Sequence, residues 1–227
     1  MRLPEPLHAY ARELTRRFRE GGLRAIFAFF LTGLRAQLSK HDSQLVLVKP
    51  LDAIAVPLRH GNVHVEPIEP RHLPELRELN RERGDISGDE RFAADLDGGH
   101  GGFVGLRDGQ LISCYWWVDA THPQHRDMRE LGLGIVLGEG DVYGYDLYVH
   151  KEHRAGGTVN DFLFQIETAL HERGFERLWG YVAADNRTAR WTYQARGYQP
   201  RWKVARKRVL RRWSSQIVQL DVQGESA

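Results

Sequence analysis

Tyr145-Asp146-Leu147-Tyr148-Val149, followed after four residues by Arg154-Ala155-Gly156-Gly157-Thr158-Val159 and then by an apolar run ending at Leu170, is the stretch that decides the fold. The first segment reads as a strand. The second is a glycine-bearing turn, and Val159, Phe162, Leu163, Ile166 and Leu170 recur at the spacing of a buried helical stripe. Gly174 supplies the stop. A strand that turns through small residues into a helix collects free backbone N–H groups at one point, with the positive end of the helix dipole behind them. That arrangement suits a phosphate or pyrophosphate.

A second strand follows in Leu178-Trp179-Gly180-Tyr181-Val182, so the unit is strand, turn, helix, strand, a parallel crossover. The turn has no Gly-Lys-Ser/Thr and no Gly-x-Gly-x-x-Gly, which excludes the two commonest nucleotide loops. Further on, Asn186-Arg187-Thr188-Ala189-Arg190-Trp191-Thr192-Tyr193-Gln194-Ala195-Arg196-Gly197-Tyr198 reads as a capped helix. Asn186 is its N-cap, Ala189 and Tyr193 share a face, and Gly197 is its C-cap.

Together these segments resemble the acyl-CoA site of the GCN5-related N-acetyltransferase (GNAT) superfamily. Arg154 to Val159 is similar to its Gln/Arg-x-x-Gly-x-Gly/Ala turn, with Val159 departing where glycine or alanine is usual. The second segment is similar to Asn-x-x-Ala-x-x-x-Tyr-x-x-x-Gly-Phe/Tyr at all five positions. The resemblance covers about residues 60–210. It implies a mixed α/β (α+β-like) GNAT fold: a central, mostly antiparallel twisted sheet, splayed at the acyl-CoA site and flanked by helices. The donor it implies is acetyl-CoA or another acyl-CoA, with no metal.

The resemblance also implies roles. Amides of Ala155, Gly156, Gly157, Thr158 and Val159 would grip the pyrophosphate, with Arg154 adding charge. The pantetheine would run beside Leu147, Tyr148 and Val149, and an amide near Leu147 or Val149 would polarise the thioester carbonyl. Asn186 would bond the pantetheine arm, and Tyr193 would protonate the departing thiolate. Asp146, aimed along the strand with Tyr148 on its face, is the candidate base for the attacking amine, directly or through a water. Asp146 could equally cap a strand end or pair with an arginine, and Tyr193 could simply pack. No Ser/His/Asp or Cys/His signature competes, which fits direct transfer.

The rest of the chain sets the boundaries. A chain of 227 residues that is 41% hydrophobic and 27% charged fits one domain with an addition. The single cysteine, Cys114, suits a cytoplasmic setting, and no secretory signal is read. Residues 1–40 read as a helical extension, two amphipathic helices split at Gly21-Gly22, with eight Lys/Arg against three Asp/Glu. They are compatible with packing on the core, with a homodimer seam, or with peripheral membrane contact. Residues 41–60 form a connecting segment with a short strand, Leu45-Val46-Leu47-Val48. By the resemblance, residues 61–227 read as the acyltransferase domain.

Within that domain, Val63-His64-Val65 is a first strand, residues 72–81 and 88–96 are helices, and residues 103–106 and 111–118 form a hairpin on Asp108-Gly109. Residues 119–140 read as a glycine-rich excursion without strong periodicity. His122-x-x-His125 and His150-x-x-His153 lack the companions of a metal site and read as exposed loop histidines. Tyr115-Trp116-Trp117 reads as mostly core, with one ring available to an acceptor pocket. The basic run at residues 201–212 reads as the solvated face of a strand, which disfavours a nucleic-acid partner.

The function these features indicate is N-acyl transfer, most often acetyl, to a primary amine of a small molecule or amino sugar. The alternatives are a long-chain N-acyltransferase near a membrane and a non-catalytic acyl-CoA-binding or nucleic-acid-binding module.

Overall fold

A computed structural model describes residues 39–54, 56, 62–83, 88–122, 125–209 and 212–220. The helices expected within residues 1–40 lie outside the described residues, apart from the last two, which are extended. The chain divides into two compact units. The larger comprises Ser43–Ala205 with Gln216–Ala227, and the smaller Met1–Asp42 with Arg206–Ser215. In the smaller unit, the buried Arg206 donates from Nη1 to Asp42 Oδ2 at 3.3 Å.

Among the described residues eight strands form one sheet in the order β2-β3-β4-β5-β6-β1-β7-β8. They are β1 Ser39–Pro50, β2 His64–Pro67, β3 Gly101–Arg107, β4 Gln110–Asp119, β5 Asp141–Val149, β6 Arg177–Ala183, β7 Gln199–Val209 and β8 Arg212–Gln219. The strand read at Leu45–Val48 is thus the middle of a longer one, paired antiparallel to β6. The hairpin forms where Asp108-Gly109 dictates it: both residues have positive φ, at 52° and 78°, the pairing of a tight two-residue turn. Pairings β2–β3, β3–β4 and β4–β5 are antiparallel, and β5–β6 is parallel.

Among the described residues five α-helices cover the sheet: α1 Leu73–Arg83, α2 Gly88–Asp97, α3 Arg126–Glu130, α4 Thr158–Glu172 and α5 Arg187–Ala195. On one face Leu76, Leu79, Phe92 and Met128 pack with Val104, Trp116, Tyr143 and Tyr145. On the other, Phe162, Ile166 and Leu170 of α4 pack with Phe103, Ile112, Val142 and Leu178, joined by Ala189 and Tyr193 of α5. The middle of the sheet is therefore covered on both sides, whereas the described part of β8 is largely exposed; burying these apolar side chains is the main force holding the layers together.

The excursion after β4 is more ordered than its composition suggests. Met128 sits in α3, and Leu133, Ile135 and Leu137 are all buried in the first core. Their every-second spacing was a legible signal of an extended segment with one buried side. Among the described residues no helix is long and apolar enough to cross a membrane.

Candidate active site

Strands β5 and β6 pair for only three residues, ending at Tyr143 with Trp179, and then part. Gly144 starts the parting. A Cβ there would lie 1.5 Å from the Tyr115 hydroxyl, so only glycine lets that ring lie across the strand. Two residues further on, β5 bulges: Tyr145 faces Trp116 and Tyr148 faces Cys114, so Asp146 and Leu147 together oppose Tyr115 alone. Asp146 takes a left-handed conformation there, φ 51°, which aspartate tolerates better than most residues. The extra residue puts Tyr145 and Asp146 on the same face, and Leu147 turns to the other.

A cleft of about 930 Å³ runs through this parting. Its walls are residues 144–149 of β5 and 179–183 of β6, with Gly157, Val159 and Asn160 at one end and Asn186, Ala189 and Tyr193 along α5. On the opposite face it is bordered by Arg83, Arg91, Asp127 and Asp146. One opening therefore joins the two faces of the sheet. His150 donates its amide to Ile112 of β4, so the alternation of the strand aims the amides of Val149 and Leu147 away from β4, into the cleft.

The turn before α4 gathers several backbone amides at one end of the cleft. Gly156 and Gly157 both have left-handed φ, 72° and 89°, and Gly157 is the N-cap of the helix. Among the described residues, no backbone carbonyl takes the amides of Gly156, Gly157, Thr158, Val159 or Asn160. Thr158 is buried. It donates to the Ala155 carbonyl at 2.8 Å and accepts from Arg107 at 2.6 Å, which fixes the turn to the end of β3. Val159 packs into the second core, so its side chain leaves the mouth of the turn open.

The model of the acetyltransferase (GNAT) family matches residues 68–198, more than half of the chain. The chain belongs to the GNAT family. Acetyl-CoA is the acyl donor of that family. A GCN5-related N-acetyltransferase from Sphaerobacter thermophilus shares the fold, with TM-score 0.50 and 13% identity over 82% of this chain and 55% of that one. A functionally unknown conserved protein from Staphylococcus epidermidis gives TM-score 0.55 and 9% identity over 79% and 66%. The glucosamine N-acetyltransferase region of a fungal multi-domain GH3 β-N-acetylglucosaminidase gives 0.56 and 16% over 85% and 23%. This chain spans less than two thirds of each of those chains. No curated protein sequence matches it.

In this GNAT chain the expected donor-site residues converge on one cleft. Leu147, Tyr148, Val149, Arg154, Gly157, Val159, Asn186 and Tyr193 all line it. Ala155, Gly156 and Thr158 complete the turn at its end. Arg154 is partly committed: its Nε donates to the Val149 carbonyl at 2.9 Å and its guanidinium lies over the Tyr148 ring. Asn186 caps α5, accepting from the Ala189 amide at 3.1 Å. The Tyr193 ring stands edge-on to Tyr198 at 4.8 Å, and burial raises its hydroxyl pKa well above the ordinary phenol value. It would remain protonated, as an acid must.

Asp146 differs from the expectation of a free base. Each of its oxygens is bonded to a guanidinium, Oδ1 to Arg83 of α1 and Oδ2 to Arg91 of α2. The other carboxylate bordering the cleft, Asp127, makes one ion-pair contact among the described residues, with the distant Arg126 Nε at 3.9 Å, and burial raises its pKa. The alternative of an arginine pair for Asp146 is the one that forms; which arginines supply it was not legible, because Arg83 and Arg91 lie 63 and 55 residues away along the chain.

The histidines also correct the reading of exposed loops. His125 is buried, accepts the Asp127 amide at Nδ1 and stacks on Tyr145 with centroids 4.0 Å apart. Its pKa is pushed down to about 4 by burial, then by the neighbouring His100 and arginines. His100 Nδ1 lies 2.7 Å from the Tyr145 hydroxyl, which donates to Asp95 at 3.3 Å. Burial also lowers His100. Among the described residues, no group of three or more His, Cys, Asp or Glu could hold a metal ion.

A further feature went unread. Lys49 of β1, Glu167 of α4 and Arg196 after α5 form a buried charged triad, with Glu167 bonded to both cations. Arg196 also donates to the Asn160 carbonyl at 3.3 Å, linking the end of α5 to the first turn of α4.

Proposed function

We propose that this GNAT chain transfers an acyl group, acetyl in the first instance, from acyl-CoA to a primary amine of a small molecule or amino sugar. The observation that carries the reading is the single cleft joining an anion-binding turn, two inward-facing amides of β5, Tyr193 on one face of the sheet and two carboxylates on the other. The amides of the Gly156-Gly157 turn and Arg154 would hold the diphosphate end of the donor. The Val149 and Leu147 amides are aimed to stabilise charge developing on a thioester oxygen. Tyr193 would donate a proton to the leaving sulfur.

An ammonium must lose a proton before it attacks. Asp146, with both oxygens engaged, is the anchor that positions Arg83 and Arg91. Asp127, less encumbered and raised by burial, is the better proton acceptor. The test is acetyl-CoA with the purified protein and a thiol reagent, across amines that include amino sugars, the class the fungal relative's name suggests. Amine-dependent thiol release supports the proposal; CoA binding without release for any amine contradicts it.

A further inference from the structure

A second cavity, of about 360 Å³, adjoins the first and is lined by Arg91, Asp95, His100, His122, His125, Arg126 and Arg129. Arg91 lines both cavities, so the smaller one lies beside the face of the cleft where Asp127 and Asp146 lie. Three guanidiniums and one carboxylate line it, and burial raises the pKa of that carboxylate, Asp95. Arg91 is bonded to Asp146, whereas Arg126 reaches carboxylates only at 3.9 Å and 4.0 Å. Among the described residues Arg129 has no carboxylate within ion-pair reach.

The histidines add neutral hydrogen-bonding groups. Because His125 Nδ1 accepts the Asp127 amide, its proton sits on Nε2, which makes that nitrogen a donor. Because the Tyr145 hydroxyl donates to Asp95, it accepts from His100 Nδ1, which leaves His100 Nε2 as an acceptor. The guanidiniums and the His125 Nε2 donor suit an oxyanion, while the His100 Nε2 acceptor suits a hydroxyl or N–H elsewhere on the same polar molecule.

Resting on the acyl-transfer reading above, we propose that the acceptor amine carries an anionic group, a carboxylate or a phosphate, and that this group seats in the His–Arg cavity beyond Arg91 while the amine points into the cleft. Two measurements test it. The first compares acetylation of phosphoethanolamine with ethanolamine, of glucosamine 6-phosphate with glucosamine, and of free amino acids with their amides. At least one anionic amine is expected to exceed its neutral partner by on the order of tenfold in kcat/KM, with the excess shrinking in Arg129→Gln through KM. Neutral amines used equally well or better throughout would overturn the proposal.

The second measurement needs no turnover. Imidazole resonances of His100 and His125 are followed while inorganic phosphate, and separately acetate, is added. Movement with phosphate alone identifies a phosphate-bearing acceptor, and movement with acetate a carboxylate. No movement with either overturns the cavity assignment even if acyl transfer itself is found. Movement without any acyl transfer leaves the cavity standing and removes the transfer reading instead.

Discussion

The Asp146 carboxylate and the Arg91 guanidinium are bonded across the joint between β5 and α2. The bulge makes this contact possible. An unbroken strand would alternate, sending Asp146 to the face opposite Tyr145; the extra residue brings both to the side covered by α1 and α2, where Arg83, Arg91 and Asp95 await them. The same irregularity exposes the edge of β5 to the cleft.

Replacing Asp146 with asparagine should therefore damage architecture more than proton transfer. Two guanidiniums lose a charged partner, and stability should fall by roughly 1–3 kcal/mol in chemical denaturation. The acidic limb of the pH–rate profile should persist in Asp146→Asn and be lost in Asp127→Asn. The reverse pattern would restore Asp146 as the base. Since burial raises Asp127, activity should climb with pH through a midpoint above the ordinary carboxylate value.

Gly157→Ala tests the turn. A Cβ at φ 89° is strained, costing on the order of 1 kcal/mol, and it disturbs amides that no backbone carbonyl among the described residues takes. CoA affinity measured by calorimetry should drop far more than stability does. Equal affinity in the variant would place the diphosphate elsewhere.

Tyr193→Phe keeps the ring against Tyr198 and removes only the hydroxyl. Turnover should fall by roughly a hundredfold or less, because a thiolate is already a fair leaving group, while CoA affinity stays near that of the parent. An unchanged kcat would reduce Tyr193 to packing.

Glu167→Gln leaves Lys49 and Arg196 buried without their shared anion. Losing one partner of such a group costs about 3–5 kcal/mol, readable as a lower denaturation midpoint. A near-neutral effect would show that the triad relaxes without it.

His125 gives the fold a pH dependence. Its folded pKa of about 4 lies below the 6.5 of a free imidazole. Between those values the unfolded chain binds a proton that the folded chain refuses, so stability falls as pH drops from about 6.5 towards 4. Asp95 and Asp127, raised by burial, act in the opposite sense near the lower end. The comparison of His125→Asn with the parent isolates the histidine, since asparagine can still cap α3. Parallel stability–pH curves for the two would remove His125 as the source.

Much of this was legible from local pattern. The glycine turn, the stripe on α4, the Asn186 cap and the Asp108-Gly109 hairpin each depend on neighbours within a few residues, and each forms where the sequence places it. What stayed hidden depends on distance. The Asp146 pairs span 63 and 55 residues, and the Lys49–Glu167 pair spans 118, so no window of sequence contains both partners. The bulge is hidden for another reason: a one-residue slip in pairing leaves the residues themselves unaltered. His125 looked like a loop residue because its burial comes from Tyr143 and Tyr145, on a strand that begins well after it.

The central claim is that the opening between β5 and β6 receives acyl-CoA, with its diphosphate on the Gly156-Gly157 turn. Titrating CoA into the full chain by calorimetry, alongside the Gly157→Ala variant, tests it most directly. The account predicts one-to-one binding by the parent and a marked loss of affinity in the variant. No detectable binding by the folded parent would contradict it.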